Sequence, residues 1–479
     1  MPKRQIVAPQ AQPDAGADAG PLEQAFQAVR QELELPGEYP ADAAAEAQQA
    51  AQSVTMPERD ETAVPFFTVD PPESKDLDQA IHLERSGDGY RLRYAIADVP
   101  SFVKPGGALD TETRRRGQTL YLPDVRIPLH PEVLSEGVAS LLAGEVRPAF
   151  VWDIVMDAKG ETKSAEVYRA QVRSQDRYDY EQVQQAIDGG TADERVALLK
   201  EVGEKRIALE RERGGASLPM PEQEITREGD SYVLSFRPLL PSEDWNAQIS
   251  LMTGMVAAEM MLHAQIGILR TMPAADQEAL QRFHRQAVAL GVPWPAEQPY
   301  GEFLRTLDRT NTKHLALIHA ATTLFRGAGY TPFDGDVPDQ PEQAAVAAPY
   351  AHVTAPLRRL VDRFGLAICE ALSRGDQVPD WVKQALPTLP DIMRGTDQLA
   401  GKVERSCADA VEAAVMSSHL GETLAASVVE KRDKGAVLVQ LKDFAVEAEC
   451  QGDAELGADV QVKVASADIA TRKVEFQLA

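Results

Sequence analysis

Val69-Asp70-Pro71-Pro72-Glu73-Ser74-Lys75-Asp76-Leu77-Asp78-Gln79-Ala80-Ile81 sets three aspartates in a proline-rich loop between two strand-like runs. Phe66-Phe67-Thr68-Val69 leads into it, and residues 80–84, a Gly87-Asp88-Gly89 turn and residues 90–97 follow as a hairpin signature. Side chains two apart in an extended segment share a side, so Asp76 and Asp78 face the same way, and a proline-stiffened turn can fold Asp70 back beside them. Crowded carboxylates repel one another unless a cation neutralises them. Oxygen ligands without His or Cys favour Mg²⁺ or Mn²⁺ over zinc, and two such ions can clamp the attacking and leaving oxygens of a phosphodiester. The same spacing also fits a solvated acidic turn or a calcium-binding loop.

Outward from this loop the texture stays mixed. Strand-like runs at 149–157 and 166–173 give way to helical periodicity at 179–187 and 192–213. Helix dominates from 245 to about 420, broken by Pro293-Trp294-Pro295, a proline-rich loop at 332–349 and prolines at 387–390. The apolar stretch 249–269, interrupted by Glu259, His263 and Gln265, reads as one buried core helix and not a spanning one. At the end, five short strands (425–429, 435–441, 445–450, 460–464 and 474–478) predict a small barrel of the oligonucleotide-binding type. At the start, residues 1–20 are too polar to order themselves and predict a flexible arm, and 22–35 and 40–53 predict a small helical unit. The fold class expected is multidomain α+β.

At 479 residues the chain is long enough for several domains. Its 49 basic and 74 acidic residues give a net charge of −25, so a polyanionic ligand must find a local basic channel. Arg114-Arg115-Arg116, Arg126, Arg270, Arg358 and Arg359 are the candidates for one, although a charge run is usually only a solvated face. No apolar run opens the chain, and Cys369, Cys407 and Cys450 lack metal or redox spacing; a cytoplasmic protein with reduced thiols is expected.

Four separated segments then carry a resemblance. The carboxylate loop with Tyr94-Ala95-Ile96-Ala97-Asp98-Val99, the segment 117–131 with Tyr121-Leu122-Pro123 and Ile127-Pro128-Leu129-His130-Pro131, Tyr350-Ala351-His352-Val353-Thr354-Ala355-Pro356-Leu357-Arg358-Arg359, and Val403-Glu404-Arg405 follow in the order of the ribonuclease II/RNB family. The chain resembles that family over roughly residues 55–420. Behind the arm at 1–20 and the helical unit at 21–54, the resemblance implies an RNB catalytic domain at 55–420 with mixed sheets surrounded by helices, and an RNA-binding barrel of ribosomal-protein type at 421–479.

It also implies an activity: divalent-metal-dependent, processive 3′→5′ hydrolysis of single-stranded RNA to nucleoside 5′-monophosphates. Asp70, Asp76 and Asp78 fall on three of the four aspartates of the family's catalytic loop, with Asp78 the one most tied to chemistry. Gln79 stands at the fourth position, where an amide can ligate through its oxygen or hold a water but brings one negative charge fewer. Weaker metal affinity and a shift from Mg²⁺ toward Mn²⁺ follow. Tyr121 falls on the tyrosine that packs against the 3′-terminal nucleotide, although in its apolar run it also reads as a core residue. Arg358 falls on the arginine at the scissile phosphate, with Arg359 as second choice; an ion pair with Asp362 is the ordinary alternative. Tyr350, His352 and Thr354 are expected along the RNA backbone and Glu404 near its 3′ end. No organic cofactor and no membrane enter this reading, and a monomer is the default.

Two departures limit what is carried over. The family's two cold-shock-type domains have no counterpart ahead of Phe66, and the terminal barrel holds seven basic and eleven acidic residues over 421–479, with only Phe444 and Phe476 as aromatics. The runner-up reading is a catalytically weak RNA-binding regulatory homologue in which Gln79 and the missing cold-shock domains have cost catalysis, and the third is a metal-dependent DNA nuclease.

Overall fold

The computed structural model describes residues 4–6, 20–218, 222–228, 231–237, 239–295, 297–432 and 435–479. The carboxylate loop connects strand Phe66–Val69 to strand Gln79–Ser86, which turns into Gly89–Ala97. With Val146–Met156 and Thr162–Tyr178 these strands close a five-stranded barrel in chain order. Neighbours are antiparallel except at the closure, where Phe66–Val69 runs parallel to the end of Thr162–Tyr178. Closure leaves no free sheet edge.

Period-two alternation lets the barrel strands bury both faces. Phe67, Tyr94, Ile96, Phe150 and Trp152 join one core, completed by residues of helices Glu194–Arg213, Pro241–Ala264 and Leu360–Ser373. Their chain neighbours Phe66, Ala95, Ala97, Ala149 and Val151 join a second core with Val99, Phe102, Leu109 and Leu357. Leu77, between Asp76 and Asp78, is fully buried in this second core and so anchors the loop that carries the aspartates.

A second closed barrel ends the chain: Thr423–Lys431, Ala436–Leu441, Glu447–Gln451, Asp459–Asp468 and Lys473–Leu478, ordered first, second, third, fifth, fourth, with the third and fifth strands parallel. The α+β core, the helical N-terminal region and the five-stranded terminal barrel match the fold class read from the sequence. Helix Leu389–Ser417 ties the parts together: Val403, Cys407 and Val411 pack with Phe26 and Val29 of helix Pro21–Glu32 and with Leu120 and Leu122. All three cysteines are buried free thiols. No described helix is long and apolar enough to cross a membrane.

Two expectations need correction. Residues 249–269 are not one helix: Pro241–Ala264 ends at Gln265, whose φ is +57°, and Ile266–Thr271 is a strand antiparallel to Gly329–Asp334. A continuous apolar run looks alike in a buried helix and a buried strand, so periodicity alone joined them. Residues 1–3 and 7–19 of the expected arm lie outside the described residues, but Arg4–Ile6 is a strand pairing with 223–225.

Candidate active site

The carboxylate loop is held by contacts to its main chain that do not use the aspartate side chains. Asp70 N–H donates to Tyr178 O at 3.1 Å, and Arg177 Nη2 donates to the carbonyls of Pro71, Pro72 and Ser74 at 3.1, 2.7 and 2.7 Å. Ser140 Oγ accepts from Leu77 N–H at 2.9 Å and donates to Lys75 O at 2.6 Å. The Asp78 carboxylate faces a second loop, residues 350–359.

That second loop is stitched to the Tyr121 segment by the backbone. Helix Ala108–Arg116 stops at Gly117, with φ of +69° and a Cβ position only 2.4 Å from Thr396 Cγ2, so a side chain is excluded there. Thr119 N–H donates to Arg358 O at 3.0 Å, Leu360 N–H to Gly117 O at 2.9 Å, and His130 Nε2–H to Pro356 O at 3.1 Å. Across the gap, Leu357 N–H donates to Asp78 Oδ1 at 2.7 Å and Arg358 Nε stands 3.4 Å from Asp78 Oδ2. The Arg358 side chain is 44% exposed and that of Asp78 6%, so a buried carboxylate sits under an accessible guanidinium. A cavity of about 140 Å³ opens beside them, walled by Tyr121, Arg358, Arg359 and Glu404 with Gln118 and Thr119.

Burial sets the electrostatics. It pushes the Asp70 carboxyl up to about 7, with Asp76 adding to the rise and Arg358 and Arg177 opposing it. It also raises Asp78 well above the usual carboxylate range, Arg358 opposing and Asp76 assisting. An all-oxygen donor set that repels itself and is shielded from water is relieved by a hard divalent cation, so Asp70 and Asp78, with Asp76 beside them, fit one. Among the described residues no three His, Cys, Asp or Glu form a ready-made metal cage.

The structure redistributes several expected roles. Gln79, expected among the metal ligands, has both ends of its amide engaged: Nε2 donates to Thr354 O at 2.7 Å, and Oε1 accepts from Tyr94 at 2.5 Å and from Ser250 at 3.4 Å. It ties the two loops together. Arg359 is locked to Asp362 by two bonds of 2.9 and 2.8 Å, the ordinary alternative weighed for this arginine pair, while Arg358 is accessible beside Asp78. Tyr350 and Thr354 are 9% and 3% exposed; a Cβ on Gly254 would stand 2.2 Å from Tyr350 Cε2, which shows how tightly that ring is packed. His352 shares a 2.7 Å hydrogen bond with the Tyr330 hydroxyl, and burial followed by Arg359, Arg270 and Arg358 holds it well below the ordinary histidine range, hence neutral.

The expected cationic path is largely spent. Arg114 pairs with Asp110, and Arg115 and Arg116 pair with Glu112 in the same helix; Arg116 is 3% exposed and also donates to Gly37 O and Pro128 O. Arg270 faces Asp397 at 3.4 Å. Three contributors escaped the sequence reading: the Leu357 amide, Arg177 and the Arg126–Asp76 ion pair at 2.6 Å. A backbone donor carries no sequence signal, and the partners of the two arginines lie some 50 to 106 positions away.

A buried carboxylate set beneath one accessible arginine, at the mouth of a cavity walled by a tyrosine, defines an acidic centre on a closed barrel that can face an anionic ligand. The chain belongs to the RNB domain family: that domain matches residues 58–370, and the RNase II-type exonuclease C-terminal S1 domain matches 422–479. Ribonuclease R of Vibrio cholerae serotype O1 is 24% identical over 503 residues, which cover 93% of this chain and 60% of that protein. The chain thus spans less than two thirds of that relative's length. In fold it is similar to the apo form of Mycoplasma genitalium RNase R, with a TM-score of 0.86 at 20% identity over 97% of this chain and 79% of that one. It is also similar to yeast Ssd1, a pseudonuclease, with a TM-score of 0.70 at 14% identity over 95% and 58%.

Proposed function

We propose that this chain is a processive 3′→5′ exoribonuclease that hydrolyses single-stranded RNA to nucleoside 5′-monophosphates with Mg²⁺, or Mn²⁺ in its place, acting as a cytoplasmic monomer. The observation that carries this reading is Arg358 Nε at 3.4 Å from Asp78 Oδ2, in one cluster with Asp70 and Asp76 and beside the cavity that Tyr121 lines. Family membership and the terminal S1 match support it. A divalent cation held by Asp70 and Asp78 supplies Lewis-acid polarisation of the phosphodiester when bound.

The chain's own groups do the rest. Leu357 N–H occupies Asp78 Oδ1, which leaves Oδ2, 3.4 Å from Arg358 Nε, as the oxygen that would meet the cation. Arg358 projects from the same loop, and its planar fork can donate to the phosphate oxygens as their charge grows. Tyr121 offers a ring face that holds a terminal base without reading it. Gln79 sets the spacing between the two loops through Thr354 O.

The alternative, a catalytically weak RNA-binding homologue, is favoured by one observation: the amide at position 79 is committed to Thr354, Tyr94 and Ser250. The fold is compatible with it, since Ssd1 is a pseudonuclease. The deciding experiment incubates 5′-labelled single-stranded RNA with the protein and Mg²⁺ or Mn²⁺, beside Asp78→Asn and a matched DNA strand. A metal-dependent ladder shortening from the 3′ end, absent in the variant and on DNA, is expected. Bound but intact RNA overturns the exonuclease in favour of the homologue, and equal digestion of DNA overturns the RNA specificity.

A further inference from the structure

Arg126 lies directly across a two-residue ladder from Tyr121, and its guanidinium leaves that ladder toward the carboxylate loop. Nη1 donates to Asp76 Oδ1 at 2.6 Å, and Nη2 donates to Glu136. Lys75 Nζ stands 4.0 Å from the other Glu136 oxygen, so Lys75, Glu136, Arg126 and Asp76 form a chain of alternating charge. The side chains of Arg126, Asp76 and Glu136 are 18%, 10% and 16% exposed, which keeps bulk water from screening the contacts. Asp76 is therefore already neutralised by the protein.

Of the four loop positions, 70, 76, 78 and 79, the last holds an amide bonded to other residues and the second a carboxylate paired with Arg126. Two carboxylates remain: Asp70, and Asp78, whose arginine neighbour Arg358 stands farther off at 3.4 Å with a side chain 44% exposed, open to solvent where Arg126 is not. Buried charge is tolerated where it is balanced: two carboxylates match one divalent cation, and a second divalent ion would bring positive charge with nothing to offset it.

We propose that Arg126 is a resident counter-charge of this site, holding Asp76 so that the loop takes one divalent cation, on Asp70 and Asp78, in place of two. Arg126 is thus a positioning residue that also joins the Tyr121 segment to the carboxylate loop. The inference rests on the metal-dependent reading above, but its test counts ions without RNA.

Mn²⁺ is titrated into the metal-free full chain, with free Mn²⁺ followed by electron paramagnetic resonance and bound Mn²⁺ by calorimetry, for the wild type, Arg126→Gln and Arg126→Lys. One ion per chain is expected in the wild type and Arg126→Lys, and two in Arg126→Gln. Two ions in the wild type, or an unchanged count in a folded Arg126→Gln, overturns the inference. No ion in the wild type overturns the metal reading beneath it as well, whereas one ion with intact RNA overturns only the exoribonuclease. Thermal unfolding in EDTA reports folding. If Arg126→Gln does not fold, Asp76→Asn carries the test: it retains one Mn²⁺ on this proposal, and loss of that ion overturns it.

Discussion

Leu357 donates its backbone N–H to Asp78 Oδ1 at 2.7 Å, closing a contact across 279 positions of chain. One oxygen of the buried carboxylate is thereby fixed and the other is turned to Arg358 Nε at 3.4 Å. The loop that carries the arginine and the loop that carries the carboxylates are thereby tied directly to each other.

Asp78→Asn separates stability from chemistry. Burial raises the Asp78 carboxyl well above its ordinary range, so its ionised form destabilises the folded state at neutral pH. Asparagine keeps an oxygen for the Leu357 amide and removes that charge. The expected outcome is a higher unfolding temperature in EDTA together with a fall in RNA hydrolysis of about 100-fold or more, read by thermal unfolding and a gel time course.

Gln79 is a tie that a carboxylate does not replace. In Gln79→Ala and Gln79→Asp the buried Thr354 carbonyl loses its 2.7 Å donor, at a cost of about 1–3 kcal/mol in chemical denaturation. Aspartate also adds negative charge beside Asp78. Restoration of the family's fourth acid should therefore lower stability, and an unchanged denaturation midpoint in Gln79→Asp sinks this account.

Tyr121 borders the cavity beside Arg358. Tyr121→Ala should weaken RNA binding by about 1–3 kcal/mol, roughly 5- to 150-fold, and change the length of the final product. Tyr121→Phe keeps the ring face and should retain both, as filter binding and end-product sizing will report.

His130 gives the protein an acid-sensitive joint. It is 1% exposed, donates through Nε2 to Pro356 O, and burial followed by the Arg363 charge lowers it to about 3. The unfolded chain takes up its proton near 6.5 and the folded chain does not, so this contribution is complete above pH 6.5 and is lost as pH falls toward 3. The slope is about 1.4 kcal/mol per pH unit, or about 2 kcal/mol by pH 5. Asp70, raised to about 7, titrates with the opposite sign and gains stability on protonation. The difference between wild type and His130→Gln, measured by denaturation from pH 7 to 5, isolates the histidine; parallel curves refute the assignment.

The first barrel was legible in part. Strands at 149–157 and 166–173 and the hairpin after the carboxylate loop were readable from alternation, and they appear as Val146–Met156, Thr162–Tyr178 and the pair Gln79–Ser86 and Gly89–Ala97. Closure of the five strands into a barrel was not readable, because the parallel contact between Phe66–Val69 and Thr162–Tyr178 joins segments about a hundred residues apart and leaves no local pattern.

For the site, residue type and spacing were enough to read the supply of groups: three aspartates in one proline-rich loop, two adjacent arginines before a helix and a tyrosine in an apolar run. Such signals act over a few positions. How the groups are used is set by tertiary packing. Arg358 beside Asp78 stays accessible to an anion and Arg359 does not, because Asp362 lies one helical turn beyond and binds the second guanidinium with two bonds. Asp76 is ion-paired with Arg126, 50 positions away, and the Gln79 amide donates to the Thr354 carbonyl, 275 away. The strength of an ion pair or a buried hydrogen bond depends on distance and on exclusion of water, and for groups so far apart along the chain both are set by how the folded elements pack.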